Sequence, residues 1–511
     1  MFTCYGGVTL NTFANHKNMR ATLSPSQRLI VTFVAVLAFF VTNIRAKAQE
    51  LQTPSEPEAL RKSFWGLCVQ DASNGETVVD IRSHHLFTPA STLKLYSCGT
   101  LYALRQGVDR IPTYLCTAGT VSQGVLDTDL YIIGRGDPSI GSRFLYGQDK
   151  EAFFKLVHQA LHKKGIHTIK GDIVAYTPAS DFQGQNPRWL FYDMGNHYGA
   201  GAYALNVFDN AFEVKFTNSG ASYTTVPSLP DVTIENRYTC SKRRYSDSLY
   251  LSPGLPLQQQ TTMVLSGLYP ATRPTLTIRG ALPNPPLQMS YYLKTFLQQK
   301  GIKVEGKSTF SSHLPAIATR DTLCTYLSPP LRELIRLTNT YSLNLFAESI
   351  LLQLAQGEEP IGGHNATQTA IQVARKYWQS RGLQGDEAEV YDGCGLSLEN
   401  KVSPYFMCTF LGKMFRKPET HDFPQLLPMA GRDGTLTIFL KKTALEGRAR
   451  LKSGSLHNVI GYAGYIRHGD KTYTVAFFVN NFYGKASGIR KAMEQVLLET
   501  FGEVATFQKA A

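Results

Sequence analysis

Several features that define other protein classes are missing from this sequence of 511 residues. No heptad pattern and no repeat of about 20–50 residues is present, which excludes a coiled coil and a repeat array. No Cys-x-x-Cys pair and no His-Glu-x-x-His motif occurs, so we expect no cofactor and no metal site. With 43% hydrophobic and 18% charged residues, the chain is too apolar to be disordered and long enough for about two or three domains.

Long apolar runs are also scarce, and the longest covers residues 29–41. It is short for a membrane span and typical of the hydrophobic region of a secretory signal. Basic residues precede it, no Asp or Glu occurs in residues 1–48, and Ala46 and Ala48 stand as Ala-x-Ala before Gln49. We therefore expect residues 1–48 to be a cleaved signal peptide, with translation starting at Met1 or Met19. An uncleaved anchor is the alternative.

The net charge and the cysteines of the chain after residue 48 say little about its binding partners or its disulfides. Without residues 1–48 the formal net charge falls from +13 to about +8. That charge favours weak association with anionic wall polymers or a membrane surface, or contributes only to solubility. No interleaving of aromatic and basic residues indicates nucleic acid. The seven cysteines after residue 48 are odd in number, which favours scattered buried thiols, although one or two disulfides in an oxidising compartment stay open.

Patterning divides the chain into four parts. After the predicted signal peptide, residues 49–115 contain a predicted hairpin around Asn74-Gly75, followed by a helix. Residues 116–315 are rich in Gly, Pro, Thr and Tyr with alternating apolar positions, which predicts a β-rich insertion, probably of two subdomains. Residues 316–511 combine helical periodicity with strands and a closing helix near 485–501. We expect an α+β domain, residues 49–115 and 316–511, interrupted by the insertion.

Three short motifs carry the chemistry. Ser91 and Lys94 are three residues apart, Ser342 and Asn344 flank one leucine, and Lys452 and Ser453 precede Gly454. Each is weak alone, and a Ser-Lys pair on a helix is more often a solvated surface. In the order S-x-x-K, S-x-N and K-[ST]-G they are the set found in penicillin-interacting serine enzymes.

Around these motifs the chain resembles the class C low-molecular-mass penicillin-binding proteins, the D-alanyl-D-alanine carboxypeptidase/endopeptidase family of the penicillin-binding protein 4 type. The similarity covers nearly all of the chain after the leader. It includes the segments LYIIGRGDPSI at 130–140, YDGCGLS at 391–397 and LPMAGRDGTL at 427–436. An insertion segment matches at Trp189, Asp193, Tyr198, Asn206 and Asn210. The resemblance implies a penicillin-binding-protein/β-lactamase-like domain, an antiparallel sheet flanked by helices, with inserted β-rich domains.

The resemblance also implies a role for each motif residue. Ser91 would be the nucleophile and Lys94 its base, with a pKa lowered by burial and by Lys452. Ser342 would relay a proton to the leaving nitrogen, and Asn344 would hold the substrate amide and orient Lys94.

Two further roles concern the substrate. The backbone N–H groups of Ser91 and Ser455 would form the oxyanion hole. The substrate carboxylate would be bound by residues of one strand: Lys452, Ser453, Gly454 and Ser455.

The implied function is a periplasmic serine-type D-Ala-D-Ala carboxypeptidase that acts on peptidoglycan stem peptides. Endopeptidase activity on cross-links and inhibition by β-lactams would follow from the same acyl-enzyme. The alternatives are a β-lactamase, although no Glu-x-x-Leu-Asn pattern supplies a second base, and a catalytically dead penicillin- or wall-binding module. The oligomeric state cannot be read from the sequence.

Four positions depart from the family pattern. Ser453 replaces the commoner threonine and keeps the hydroxyl. Cys394 stands where serine is more frequent, and we expect a small buried residue rather than a reactive thiol. Leu398 and Glu399 follow where the family often has arginine, which indicates a different preference for the third residue of the stem peptide.

Overall fold

The computed structural model describes residues 51–105, 107–178, 184–230, 232–242, 248–253, 261–315, 321–358 and 365–502. The predicted signal peptide at 1–48 lies outside these ranges. Within them, no helix has both the length and the apolar character that a membrane crossing requires.

The strands follow one another along the whole chain. In order they are β1 (Phe64–Asp71), β2 (Thr77–Ile81), β3 (Pro112–Thr117), β4 (Val121–Ser122), β5 (Val125–Leu126), β6 (Leu130–Gly134), β7 (Thr168–Ile169), β8 (Ile173–Tyr176), β9 (Ala211–Thr217), β10 (Ser222–Val226), β11 (Val232–Ser241), β12 (Tyr250–Pro253), β13 (Thr261–Pro270), β14 (Leu276–Ala281), β15 (Lys303–Val304), β16 (Ser308–Ser311), β17 (Asp321–Leu327), β18 (Ala388–Glu389), β19 (Lys401–Val402), β20 (Ala449–Leu456), β21 (Val459–His468) and β22 (Lys471–Asn480).

The helices concentrate after residue 330. They are α1 (Lys94–Arg105), α2 (Ala152–Lys163), α3 (Phe191–Met194), α4 (Pro285–Gln299), α5 (Leu331–Tyr341), α6 (Asn344–Leu352), α7 (Ala366–Gln379), α8 (Pro404–Arg416) and α9 (Ala486–Thr500). The closing helix is thus where the periodicity predicts it.

The two ends of the described chain meet in one antiparallel sheet of order β2-β1-β22-β21-β20. Alternate side chains of β22 enter opposite cores. Phe477 packs towards α9, whereas Phe478 packs among the helices α1 and α8. Because helices cover both faces, residues 475–479 of β22 form a continuous apolar run without polar alternation. This α+β architecture confirms the predicted fold class.

Residues between β3 and β17 form further sheets around a separate core. One sheet has the order β16-β8-β6-β3-β17, and β3 pairs directly with β17. The chain therefore enters and leaves this part through neighbouring strands. The division of the chain at residues 116 and 315 stays a prediction. The seven cysteines after residue 48 are all free thiols in the structure, and Cys68, Cys98, Cys116, Cys394 and Cys408 are buried.

Candidate active site

Ser91 lies in a 3-10 turn, Ala90–Leu93, that leads directly into α1. Lys94 is the first residue of α1, and its Nζ atom donates a hydrogen bond of 2.7 Å to Ser91 Oγ. The spacing of three therefore places both side chains on one face of the turn. Lys94 has no exposed surface, whereas Ser91 is partly exposed. The alternative of a solvated surface lysine is wrong.

Two further acceptors hold the Lys94 amine. Its Nζ atom donates to Asn344 Oδ1 and to the Cys394 carbonyl, each at 2.7 Å. An ammonium has three donors, so all three are used. Burial lowers the pKa of Lys94, and Cys394, Asp392 and Glu348 act in the opposite direction. A buried lysine with a lowered pKa loses its proton more easily and then acts as a base.

Lys452 forms a second buried pair, with Ser342. Its Nζ atom donates to Ser342 Oγ at 2.9 Å and to the Ser453 carbonyl at 2.6 Å. Burial, and next the Lys94 charge, lower the pKa of Lys452 well below its usual value. Ser342 ends α5 in the left-handed conformation, with φ at 59°. Such a conformation costs about 1–2 kcal/mol for a residue other than glycine. Strained residues of this type are frequent at active sites, and here the strained residue, Ser342, carries the hydroxyl that contacts Lys452.

Asn344 begins α6 and connects the site to the middle of the chain. Its Oδ1 atom accepts from Lys94, and its Nδ2 atom donates to the Tyr198 carbonyl at 2.7 Å. The amide thereby fixes the position of Lys94.

The strand β20 forms the opposite wall. The Ser453 hydroxyl lies 2.7 Å from Thr435 Oγ1. Gly454 lets β20 approach the nucleophile, because a Cβ atom there would lie 2.7 Å from the Pro89 carbonyl oxygen and 3.0 Å from Ser91 N. The sequence places Gly454 in a motif but does not show this close approach.

The backbone N–H of Ser455 points to the edge of β20 that lies away from β21. Leu451 N–H donates to the Pro428 carbonyl outside the β20–β21 pair, at 3.1 Å. Backbone directions in a strand alternate with a period of two, so the N–H of Ser455, four residues later, points to the same edge. Strand β20 packs against the turn that carries Ser91.

A cleft of about 680 Å³ opens over these residues. The structure thus brings all eight predicted site residues together. Five of them line the cleft: Ser91, Ser342, Ser453, Gly454 and Ser455. Lys94 and Lys452 donate hydrogen bonds to Ser91 and Ser342, and Asn344 accepts one from Lys94. Their catalytic and binding roles stay predictions.

Sequence reasoning missed two buried carboxylates beneath Lys94. Glu348 Oε1 accepts from the N–H groups of Gly393 and Cys394 at 2.8 and 2.7 Å, which holds the Cys394 carbonyl against Lys94. Asp392 accepts from Gly395 N at 2.8 Å and from Trp189 Nε1 at 2.9 Å. The available signal was weak: Glu348 is the one acidic residue in the apolar stretch LNLFAESILL.

Cys394 is fully buried, and burial raises the pKa of its thiol well above the usual value. This confirms a small buried residue. Although ligand atoms of Glu348, Asp392 and Cys394 lie within 4.8 Å of one another, the two carboxylates already accept the hydrogen bonds described. The expectation of no metal stays a prediction.

An arginine does reach the segment after residue 397, but from elsewhere in the chain. Arg188 pairs with Glu399, and its guanidinium lies 4.2 Å from the centre of the Tyr391 ring. An arginine is therefore present near Leu398 and Glu399, but its positive charge is paired with the Glu399 carboxylate.

Replacing Gly395 with alanine should disorganise the nucleophile. Gly395 has φ at +81°, and a Cβ atom would lie 1.9 Å from the Ala90 carbonyl oxygen, next to Ser91. Gly301→Ala is the matched control, because Gly301 has φ at +86° and nothing within 4 Å of its Cβ position. Both variants should lose about 1–2 kcal/mol through backbone strain. Only Gly395→Ala should also slow acylation, by about 100-fold. Equal acylation rates in the two variants would contradict this.

Glu348→Gln should change how stability depends on pH. Burial, and next the Asp392 charge, raise the pKa of Glu348 from 4.5 to about 8. The folded state therefore holds a proton that the unfolded state has lost between these values, so its stability falls as pH rises through that window. Glutamine keeps the acceptor for Gly393 and Cys394 without titrating. The melting temperature of Glu348→Gln minus that of the wild type should rise from about pH 5 to about pH 8. A difference independent of pH would contradict it.

Comparison with known proteins identifies the family of the chain. The model of the D-Ala-D-Ala carboxypeptidase 3 (S13) family matches residues 47–500. The D-alanyl-D-alanine carboxypeptidase of Actinomadura sp. (strain R39) is 22% identical over 435 residues, which cover 82% of this chain and 78% of that protein. The D-alanyl-D-alanine carboxypeptidase DacB of Haemophilus influenzae is 23% identical over 426 residues, covering 81% and 84%.

A solved structure shows the same fold. The crystal structure of penicillin binding protein 4 (dacB) from Haemophilus influenzae superposes with a TM-score of 0.73 at 21% identity, covering 89% of this chain and 98% of that one. The same protein complexed with a β-lactam gives a TM-score of 0.70 at 20% identity, with the same coverage.

The family model and the fold together define a D-Ala-D-Ala carboxypeptidase with the fold of the penicillin-binding proteins. The chain belongs to the D-Ala-D-Ala carboxypeptidase 3 (S13) family, and it is a D-Ala-D-Ala carboxypeptidase. The resemblance stated from the motifs is confirmed.

Proposed function

We propose that this carboxypeptidase acts on peptidoglycan stem peptides through an acyl-enzyme on Ser91, cleaves peptide cross-links as an endopeptidase, and is inhibited by β-lactams. The observation that carries the proposal is the 2.7 Å hydrogen bond between Ser91 Oγ and the fully buried Lys94 amine. This pair supplies a nucleophile and a base of lowered pKa at the wall of an open cleft.

The reaction would proceed by acylation of Ser91 and then hydrolysis of the acyl-enzyme. Neutral Lys94 takes the Ser91 proton while Oγ bonds to the carbonyl carbon of the penultimate D-alanine. The N–H groups of Ser91 and Ser455 stabilise the oxyanion. The carbon–nitrogen bond then breaks, and the leaving nitrogen gains the proton that Lys94 took, relayed through Ser342, which accepts a hydrogen bond from Lys452. Neutral Lys94 then takes a proton from the water that attacks the ester, and it returns this proton to Ser91 Oγ as the acid is released.

Selection of a C-terminal residue follows from the charges on β20. The carboxylate of the last D-alanine lies next to the scissile bond. Lys452 and the hydroxyls of Ser453 and Ser455 offer a cation and two donors at that place. Cross-linked peptides with a carboxylate beside the bond would bind in the same way.

β-Lactams present a carboxylate and a reactive carbonyl in a similar arrangement, so they would acylate Ser91 by the same route. The Haemophilus protein of the same fold has been crystallised with a β-lactam, which supports the proposal. A β-lactamase is the second candidate, and it differs by rapid hydrolysis of the acyl-enzyme.

We also propose that the protein acts in the periplasm after cleavage of residues 1–48. The support is the sequence pattern of the leader, together with a substrate class that lies outside the cytoplasmic membrane. The β-rich part would shape the substrate cleft, since the Tyr198 carbonyl holds Asn344.

The test uses the purified mature protein. D-Alanine release from a pentapeptide, cleavage of a cross-linked dimer, and intact mass after benzylpenicillin are measured in parallel. The proposal expects both activities and one stable adduct of a single drug mass. Rapid drug destruction without an adduct would establish the β-lactamase alternative. Folded protein with no peptide cleavage and no adduct would reject the proposed mechanism.

A further inference from the structure

The cleft extends well beyond the reacting groups. Its volume of about 680 Å³ is within the range of roughly 300–1,000 Å³ that holds whole drug-sized ligands. A carboxypeptidase releases only one alanine on this side of the bond. The cleft as a whole is therefore larger than the binding of one leaving alanine requires.

The distant part of the cleft has an apolar surface and a basic rim. We name it the basic end, defined by Ile438, Phe439, Arg490 and Lys491, all of which line the cleft. The Phe439 ring stacks on Tyr462 with 3.7 Å between ring centres, and Ile438 is 74% exposed. The buried Phe439–Tyr462 stack supports this wall of the cleft, and Ile438 supplies its exposed apolar surface.

The charge of the basic end is positive. Arg490 interacts with the Tyr462 hydroxyl, and Lys491 is exposed. Glu494 also lines the cleft, but its Oε1 atom accepts from Leu440 N at 2.6 Å and its charge interacts with Lys491. One carboxylate therefore opposes two cations, which favours a ligand that carries free carboxylates.

The direction of the substrate connects this surface to the reaction. If the carboxylate beside the scissile bond binds at Lys452 and Ser453, the leaving residue points towards β20. A chain attached to that residue has the rest of the same cleft to occupy, and the basic end is part of that cleft.

We propose that the basic end binds the leaving peptide strand of a cross-linked substrate, an acidic peptide with free carboxylates. This inference rests on the proposed function. Ser91 bonds to the D-alanyl carbonyl carbon, the amide bond breaks, and the nitrogen of the second strand gains a proton and leaves as an amine. Arg490 and Lys491 hold the carboxylates of that strand, so they determine specificity for cross-links without taking part in acylation.

The test compares Lys491→Glu with Lys163→Glu, which makes the same charge change at an exposed lysine of α2. For the cross-linked dimer, kcat/KM of Lys491→Glu should fall about three- to tenfold through a higher KM. The pentapeptide and the rate of acylation by benzylpenicillin should be unaffected in both variants. High salt should reduce the difference for the dimer, because the contacts are exposed. Arg490→Gln should act in the same direction.

The outcomes separate this inference from the proposed function. Suppose that the wild type cleaves both peptides. If Lys491→Glu leaves kcat/KM unchanged for both, or lowers it equally for both, the basic end does not bind the leaving strand. A wild type that cleaves only the pentapeptide overturns the inference and the endopeptidase activity together. A wild type that cleaves neither peptide and forms no adduct overturns the proposed function itself.

Discussion

Replacing Ser91 with alanine should abolish D-alanine release and leave the protein without a penicillin adduct. Ser91 Oγ is the proposed nucleophile, and among the described residues no other hydroxyl accepts a hydrogen bond from Lys94 Nζ. Loss of a nucleophile in a serine hydrolase lowers kcat by about 10⁶-fold. The measurement is intact mass after benzylpenicillin, with the adduct mapped by peptide digestion, beside D-alanine release.

The Ser91 variant should remain folded, because the change removes one partly exposed oxygen. Ser380→Ala is the control: Ser380 is an exposed serine at the end of α7, and it should keep the adduct and the activity. An adduct on Ser91→Ala would show that another residue is the nucleophile.

Lys94→Met should reduce the acylation rate by about 10²–10⁴-fold, the range expected for loss of a general base. Methionine has a similar length and suits a buried position, but it cannot accept the Ser91 proton. In the wild type, burial lowers the pKa of Lys94, so acylation should fall as pH decreases through that lowered pKa. The variant should lose the part of this dependence that Lys94 causes, because methionine does not titrate. Rates are followed by rapid mixing with a fluorescent penicillin.

Lys413→Met controls for the substitution itself. Lys413 is a half-buried lysine of α8 that donates to the Arg381 carbonyl at 2.7 Å, and its loss should leave acylation unchanged. If Lys94→Met keeps the wild-type rate and pH dependence, Lys94 is not the base.

Local sequence reasoning was sufficient where the geometry is local. Ser91 and Lys94 meet because a spacing of three on a helical turn places them together. The contact between Ser342 and Lys452 spans 110 positions, and only the order of the motifs indicated it. Glu348 and Asp392 could not be found, because a single acidic residue in a helix or loop does not show which backbone groups it will accept from.

The same limit applies to the fold. The closing helix and the hairpin between β1 and β2 followed from periodicity and from the Asn-Gly turn. The position of β1 between β2 and β22 did not, since strand neighbours far apart in sequence are set by tertiary packing.

The pairing of Phe64 with Asn480 across β1 and β22 has a consequence for biosynthesis. Contacts at such sequence separation form late and slowly. Lys452 and β22, a partner strand of β1, both lie far along the chain from Ser91, so a nascent polypeptide that still lacks them contains Ser91 but cannot assemble the site around it. The carboxypeptidase site is thereby completed only after β20, β21 and β22 have been synthesised and have paired with β1.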